Sequence, residues 1–320
     1  MRRALLVFLG LALHIGCSGC AATTDAAAAP ATAAKQDLGW YEASIDETHD
    51  FVVTLRPHAL AVDPTYGPIF RRATQLAATR VRALVGSTTL EAFEGADDVV
   101  VAVRDARAAD AVIVVGGVPS EIDPAKLVDT DGRPLWRELH DGSARADERT
   151  SHVLEFLPKE PDARARLFVL PGRTWVIGVG EGAFRVAAAL SHASVVRPYL
   201  PDARPPIVVH LRGEILELIR ARTQHALAPI SDRLLGVTVA LTAGGEGQVL
   251  ATFTYADDRA ATRAEARGRE VINALAEKMA PRLDFMKMAE IKRFRSTIEL
   301  RAKLPPALLR RFADADDAAL

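Results

Sequence analysis

Phe51-Val52-Val53-Thr54-Leu55-Arg56-Pro57-His58-Ala59-Leu60 can be laid over Ile207-Val208-Val209-His210-Leu211-Arg212-Gly213-Glu214-Ile215-Leu216 with five of ten positions identical. In both stretches apolar residues alternate, the pattern of a half-buried strand. In both, helical spacing follows. The first helix is predicted over 66–85, after the turn signal Asp63-Pro64, and the second over 214–227. Two copies of one strand-helix plan are the simplest reading.

The remainder of each half continues the parallel. Val99 to Arg104 and Ala111 to Val115 read as strands about six residues apart. Pro119 to Val128 reads as a short helical or irregular piece. Leu167 to Leu170 and Thr174 to Val179 form a hairpin around Pro171-Gly172-Arg173. Glu181 to His192 reads as a helix with Phe184, Ala187, Ala188 and Leu190 on its apolar face. In the second half, Gly236 to Thr242 and Gln248 to Tyr255 flank the glycine-rich turn 243–247. Asp257 to Ala280 reads as a long helix capped by an aspartate, Asp284 to Leu304 carries strand pattern, and Pro305 to Phe312 is a closing helix.

Strands joined by short turns are antiparallel. The expected class is therefore α+β: a mainly antiparallel sheet with helices on one face, built from two repeated strand-helix-hairpin units. The units span 39–200 and 201–313, with an acidic disordered tail over 314–320. Residues 129–165 interrupt the plan as a long loop rich in Asp, Gly and Pro, with Trp136 and Leu139 tucked onto the core.

The N-terminus speaks of location. Met1-Arg2-Arg3 is a basic start, Ala4 to Ile15 is apolar, and Gly16-Cys17-Ser18-Gly19-Cys20 follows. The apolar run is too short to span a bilayer and fits a secretory signal over 1–20. Gly16-Cys17 and Gly19-Cys20 resemble the lipobox of bacterial lipoproteins. That resemblance implies cleavage before the cysteine and diacylation of its thiol, at Cys17, which ends the apolar run, or alternatively at Cys20. It also implies attachment to the outer membrane facing the periplasm, because neither candidate cysteine is followed by Asp. The other reading is cleavage near Ala22 and a soluble secreted protein. Residues 21–38 lack the apolar surface that would offset ordering entropy, as expected of a flexible tether. The folded part resembles uncharacterised bacterial envelope lipoproteins.

Composition narrows function by exclusion. The net charge is −1 and charges of both signs are interspersed, so bulk attraction to nucleic acid is not expected. The two cysteines are Cys17 and Cys20, which leaves no thiol for a disulfide, a zinc site or a nucleophile in the folded part.

Each candidate site has a plain competing explanation. Gly178-Val179-Gly180-Glu181-Gly182-Ala183 matches Gly-x-Gly-x-x-Ala, but it follows a hairpin strand and fits tight-turn glycines opening a helix. Val115-Gly116-Gly117-Val118 fits a strand exit. Asp129-Thr130-Asp131-Gly132 matches half of a calcium loop and is broken by Arg133-Pro134, so a turn is favoured. The histidines show no metal-binding spacing, and alternation places His210 on the solvent face. Asp97-Asp98 and Asp257-Asp258 sit where helix and turn caps belong. Lys292-Arg293-Phe294-Arg295, read as one strand, puts Arg293, Arg295, Arg301 and Lys303 on a wet basic face opposite Phe294, Ile298, Leu300 and Leu304. That face could contact lipid headgroups or an acidic envelope polymer. Trp40-Tyr41 is expected to clasp the base of the domain or touch the membrane interface.

The expectation is thus a lipid-anchored, non-enzymatic binding or scaffold protein, with no cofactor, no metal and no catalytic residue. Beyond the membrane reached by its acyl anchor, its partner would be an envelope protein or a ligand, met through the sheet face or the 129–165 loop. A carrier of an apolar ligand or lipid, and an enzyme built from scattered loops, are the alternatives.

Overall fold

The computed structural model describes residues 49–64, 66–68, 70, 71, 95–105, 110–118, 128, 131–139, 152–157, 165–170, 173–192, 205–222, 228–242, 247–278 and 284–305. Twelve strands are found: β1 (Phe51–Leu55), β2 (Asp98–Asp105), β3 (Asp110–Gly116), β4 (Trp136–Glu138), β5 (His152–Phe156), β6 (Ala165–Leu170), β7 (Thr174–Val179), β8 (Ile207–Arg212), β9 (Leu234–Thr242), β10 (Gln248–Tyr255), β11 (Glu290–Phe294) and β12 (Thr297–Lys303). The helices are α1 (Pro57–Val62), α2 (Gly182–His192), α3 (Gly213–Arg222), α4 (Ala228–Ser231) and α5 (Asp258–Lys278), with a 3-10 turn over Asp284–Met288.

All twelve strands join one sheet in the order β11-β12-β10-β9-β8-β1-β2-β3-β7-β6-β5-β4. Every named pairing is antiparallel. The fold is α+β, as expected. The β1–β8 pair stands in the middle and fuses the two halves of the chain. Its register is centred on Val53 opposite Val209, with Phe51 opposite Leu211 and Leu55 opposite Ile207.

The expectation that helices cover one face needs correction. Residues directly opposite across antiparallel strands share a face. On one face, Phe51, Val53, Val101, Ile113, Ile177 and Val209 pack with Leu60 of α1 and Ile215 and Leu216 of α3. On this same face α5 and the 3-10 turn cover Ala251, Leu300 and Ala302. On the opposite face, Val100, Val112, Val114, Phe168 and Val176 pack under Val186 of α2. The cause is in the strands: β3 is buried at six of its seven residues and β7 at all six. Such runs must be covered on both sides. β10 and β12 instead alternate between buried and partly exposed residues.

Local differences have equally plain reasons. Helix begins at Pro57, because proline suits a first helical turn, so the strand stops at Leu55. The helix expected over 66–85 falls mostly outside the described residues, as do the piece 119–128 except Val128, and the closing helix except Pro305. Residues 129–165 hold more than loop: β4 and β5 extend the sheet to its edge. Trp136 is buried there edge-to-face with Phe156, at a centroid separation of 5.2 Å. On α2, Ala183 and Val186 take the buried stripe, while Phe184 faces outward and stacks on the Arg166 guanidinium 5.7 Å away. No described helix is long and apolar enough to cross a membrane.

Candidate functional site

A polar-apolar surface without a described helix over it is the second half of the sheet, on the face opposite α3 and α5. Val208 and His210 of β8, Thr238 and Thr242 of β9, and Leu250 and Thr252 of β10 are half-buried there. They share that face because Val208 opposes Ala240, which opposes Leu250, and His210 opposes Thr238, which opposes Thr252. His210 Nδ1 lies 2.9 Å from the Thr238 hydroxyl oxygen. Burial, and secondarily the nearby Arg212 charge, lower its pKa below the ordinary histidine value. A neutral imidazole beside threonine hydroxyls and aliphatic side chains makes an amphipathic surface with modest hydrogen-bonding capacity. His210 therefore sits on the face alternation assigned it, half-buried among neighbours.

On the same face, three strands from β8, Asp110 at the start of β3 receives two hydrogen bonds from Arg185 of α2, at 2.8 and 2.6 Å. Asp110 is buried and the arginine side chain is 21% exposed. The pair ties α2 to the sheet. The glycine motif before it serves the same docking. A Cβ at Gly178 would fall 2.5 Å from Ala183 Cα, and one at Gly182 would fall 2.2 Å from the Ala111 carbonyl oxygen. Gly180 has φ +60°. These glycines let helix and strands touch, which is a packing role. Neither Asp110 nor Arg185 stood out in the sequence, since 75 residues separate them and neither belongs to a motif.

The basic stretch is rearranged. Arg295 and Ser296 form a tight turn, with Arg295 at φ +54°, and the chain reverses there. A two-residue reversal opposes Arg293 to Ile298, so Arg293 shares the face of Ile298 and not of Arg301. Arg293 donates to Glu265 at 2.8 Å and to Asp258 at 2.7 Å, both on α5. Its hydrogen bond with Glu265 leads the causes that raise its pKa. Phe294 is exposed, whereas Ile298, Leu300 and Leu304 are buried as expected. Arg301 pairs with Glu299 at 3.0 Å. The single basic face does not exist.

The remaining candidates resolve into turns and caps. Asp257 caps α5 by accepting from the Ala260 N–H at 2.8 Å, which leads the causes holding its carboxyl below the usual range. Gly132, at φ +76°, lies in a turn closed by a Val128–Pro134 bridge. Gly117, at φ +69°, leaves β3 against Asp97. His49 is buried and His58 exposed. Among the described residues no group of three His, Cys, Asp or Glu side chains could hold a metal ion. Cys17, Cys20, Trp40 and Tyr41 lie outside the described residues.

No family model matches the chain. No curated protein matches it either. Among solved structures it is similar to crystal form I of TP0453, at 10% sequence identity and a TM-score of 0.46, over 84% of this chain and 94% of that one.

Proposed function

We propose that the protein is a lipid-anchored envelope module, acylated at Cys17 or alternatively Cys20, that binds a protein partner without catalysing a reaction. Its place is the outer membrane, facing the periplasm. The observation that carries the reading is the asymmetry of the sheet. β8, β9 and β10 are packed under α3 and α5 on one face, and on the other present Val208, His210, Thr238, Leu250 and Thr252. Such a mixed surface suits a protein better than a lipid, whose acyl chains need a continuous apolar lining. The space between the sheet and α1 and α3 is occupied by a contiguous buried cluster that includes Phe51, Leu60, Tyr66 and Trp175. That filling speaks against the carrier reading.

The same proposal includes duplication of the fold. Outward from the centre the first half runs β1, β2, β3, β7, β6 and then β5 and β4, and the second runs β8, β9, β10, β12, β11. The β6–β7 hairpin, like the β11–β12 hairpin, joins through its second strand. The sequence alignment matches Phe51 to Ile207. The register pairs Phe51 with Leu211 and Leu55 with Ile207, which is the exchange a two-fold axis through Val53 and Val209 demands.

The test is a photo-crosslinking amino acid placed at Leu250 of the full chain in growing cells, with Arg267 on the exposed side of α5 as control. A discrete protein adduct at Leu250 that is missing at Arg267 supports the reading. Identical adduct patterns at both positions would refute it, as would turnover of an envelope substrate by the purified protein.

A further inference from the structure

An apolar row runs along one end of the sheet. Along the row Phe51, Leu211, Val237, Phe253, Ile298 and Arg293, each residue opposes the next across β1, β8, β9, β10, β12 and β11. Just beyond this row lie Leu235, 57% exposed, and Phe294, 58% exposed. Leu235 is the additional residue where the β9–β10 register shifts, since Leu234 opposes Tyr255 and Gly236 opposes Thr254. A bulge of this kind re-aims a side chain. The same end carries the residues of left-handed backbone Arg233 and Arg295, at φ 56° and 54°. His49 precedes Phe51 here, so residues 1–48 reach the described fold at this end.

The charges fit a phosphate-bearing surface. The corner's carboxylates are engaged: Asp257 by Arg233, Asp232 by Arg263 at 2.7 Å, and Asp258 by Arg293 at 2.7 Å. Arg259 and Arg295 are exposed beside them. Exposed aromatic and aliphatic side chains among arginines match the interfacial zone of a bilayer, where rings sit at headgroup level and guanidinium groups meet phosphates. Strands turn by about 20–25° at each step, so the ends of β9 and β11, three strands apart, diverge by about 60–75° and can address one surface. Leu157, exposed at the end of β5 seven strands from β9, is turned away from it.

We propose that this corner, formed by the start of β9 and the β11–β12 turn, rests on the bilayer that the acyl chain enters. Leu235 and Phe294 dip into the headgroup layer. This inference rests on the lipid-anchor reading and assigns the anchored protein an orientation: the bilayer lies at the corner, and the opposite strand ends point away from it.

The experiment uses the full chain reconstituted in vesicles of phosphatidylethanolamine and phosphatidylglycerol with brominated acyl chains. Tryptophan is introduced as Phe294→Trp, Leu235→Trp or, at the opposite end of β11, Met288→Trp, where the native side chain is 86% exposed. The emission of the unchanged protein, with its three tryptophans, is subtracted. The Phe294→Trp and Leu235→Trp signals are expected to lose more than half their intensity, and the Met288→Trp signal to be unaffected. The intact mass of the same preparation reports acylation. An acylated, vesicle-bound chain quenched equally at all three positions, or at none, overturns the contact and leaves the anchor. A chain without acyl groups that is still quenched at Phe294→Trp overturns the anchor and leaves the contact. A chain neither acylated nor vesicle-bound overturns both.

Discussion

Asp110→Asn is the substitution whose cost the structure specifies most closely. Asp110 is 6% exposed and accepts two short hydrogen bonds from Arg185, whose side chain is 21% exposed. Breaking a fully buried pair costs roughly 3–5 kcal/mol, because the surviving charge is stranded. Water reaches part of the arginine, so the expected loss for Asp110→Asn is about 2–3 kcal/mol. Arg185→Met strands the more buried partner and is expected to cost about 3 kcal/mol or more. In Asp110→Asn/Arg185→Met no charge remains, and the double variant should fall short of the summed losses by at least about 1 kcal/mol. Urea unfolding of all four proteins, followed by far-UV circular dichroism, completes the cycle. Amide hydrogen exchange adds location: protection should fall first in α2, where Val186 lies over Val112, Val114 and Val176. An Asp110→Asn variant within about 0.5 kcal/mol of the parent would refute the argument that this pair fastens the helix.

Three further outcomes are expected. Gly182→Ala places a Cβ 2.2 Å from the Ala111 carbonyl oxygen, so it should destabilise by about 1–3 kcal/mol in the same denaturation assay, and an unchanged midpoint would remove the packing role. The Tyr255 hydroxyl donates to the Ile230 carbonyl at 2.8 Å, and burial pushes its pKa from 10.0 up to about 12. A raised acid contributes its full stability below pH 10 and loses it as pH rises toward 12. Tyr255→Phe should therefore cost about 1 kcal/mol at neutral pH and reduce the alkaline loss, as read from urea midpoints across that range. Val114→Asp should prevent folding, whereas Leu250→Asp should leave a folded protein with near-native circular dichroism and a weakened Leu250-face adduct. Equal behaviour of the two would remove the distinction between the halves of the sheet.

The strands were legible because their signals are local. Val99 to Arg104 and Ala111 to Val115 are apolar runs between polar turns, and glycine-rich turns mark the reversals at 171–173 and 243–247. Asp257 announced its helix for the same reason, since a cap is read from a few neighbouring residues. What the sequence hid was parity and partnership. Alternation was carried straight through Arg295, but a two-residue turn at that point moves Arg293 to the face of Ile298 and leaves Phe294 exposed. On α2 the face was read correctly at Ala187, which packs partly against the core, and wrongly at Phe184, which is exposed while Ala183 and Val186 are buried; the tie that seats the helix, Asp110 on β3, lies far away in sequence. The surface over β8 to β10 was foreseen as a face and not as particular residues, since which side α3 and α5 cover depends on tertiary packing.

The two halves of the sheet differ in how their residues are spent. β2, β3 and β7 are apolar on both sides, so each of their faces is committed to the interior. On the α2 side, a partner could reach those strands only by displacing that helix, against the Asp110–Arg185 pair and the glycine contacts that seat it. β8, β9 and β10 carry Thr, His and scattered aliphatic residues on the face away from α3 and α5, and a residue there can change without opening the core. On the proposed function, selection for binding can act on the second half while the first holds the fold. The apolar rim at Leu235 and Phe294 belongs to this half too. If that rim meets the bilayer, the strands of the proposed binding surface run away from the membrane, and the proposed partner approaches beside the proposed anchor, along the sheet, with α5 behind it.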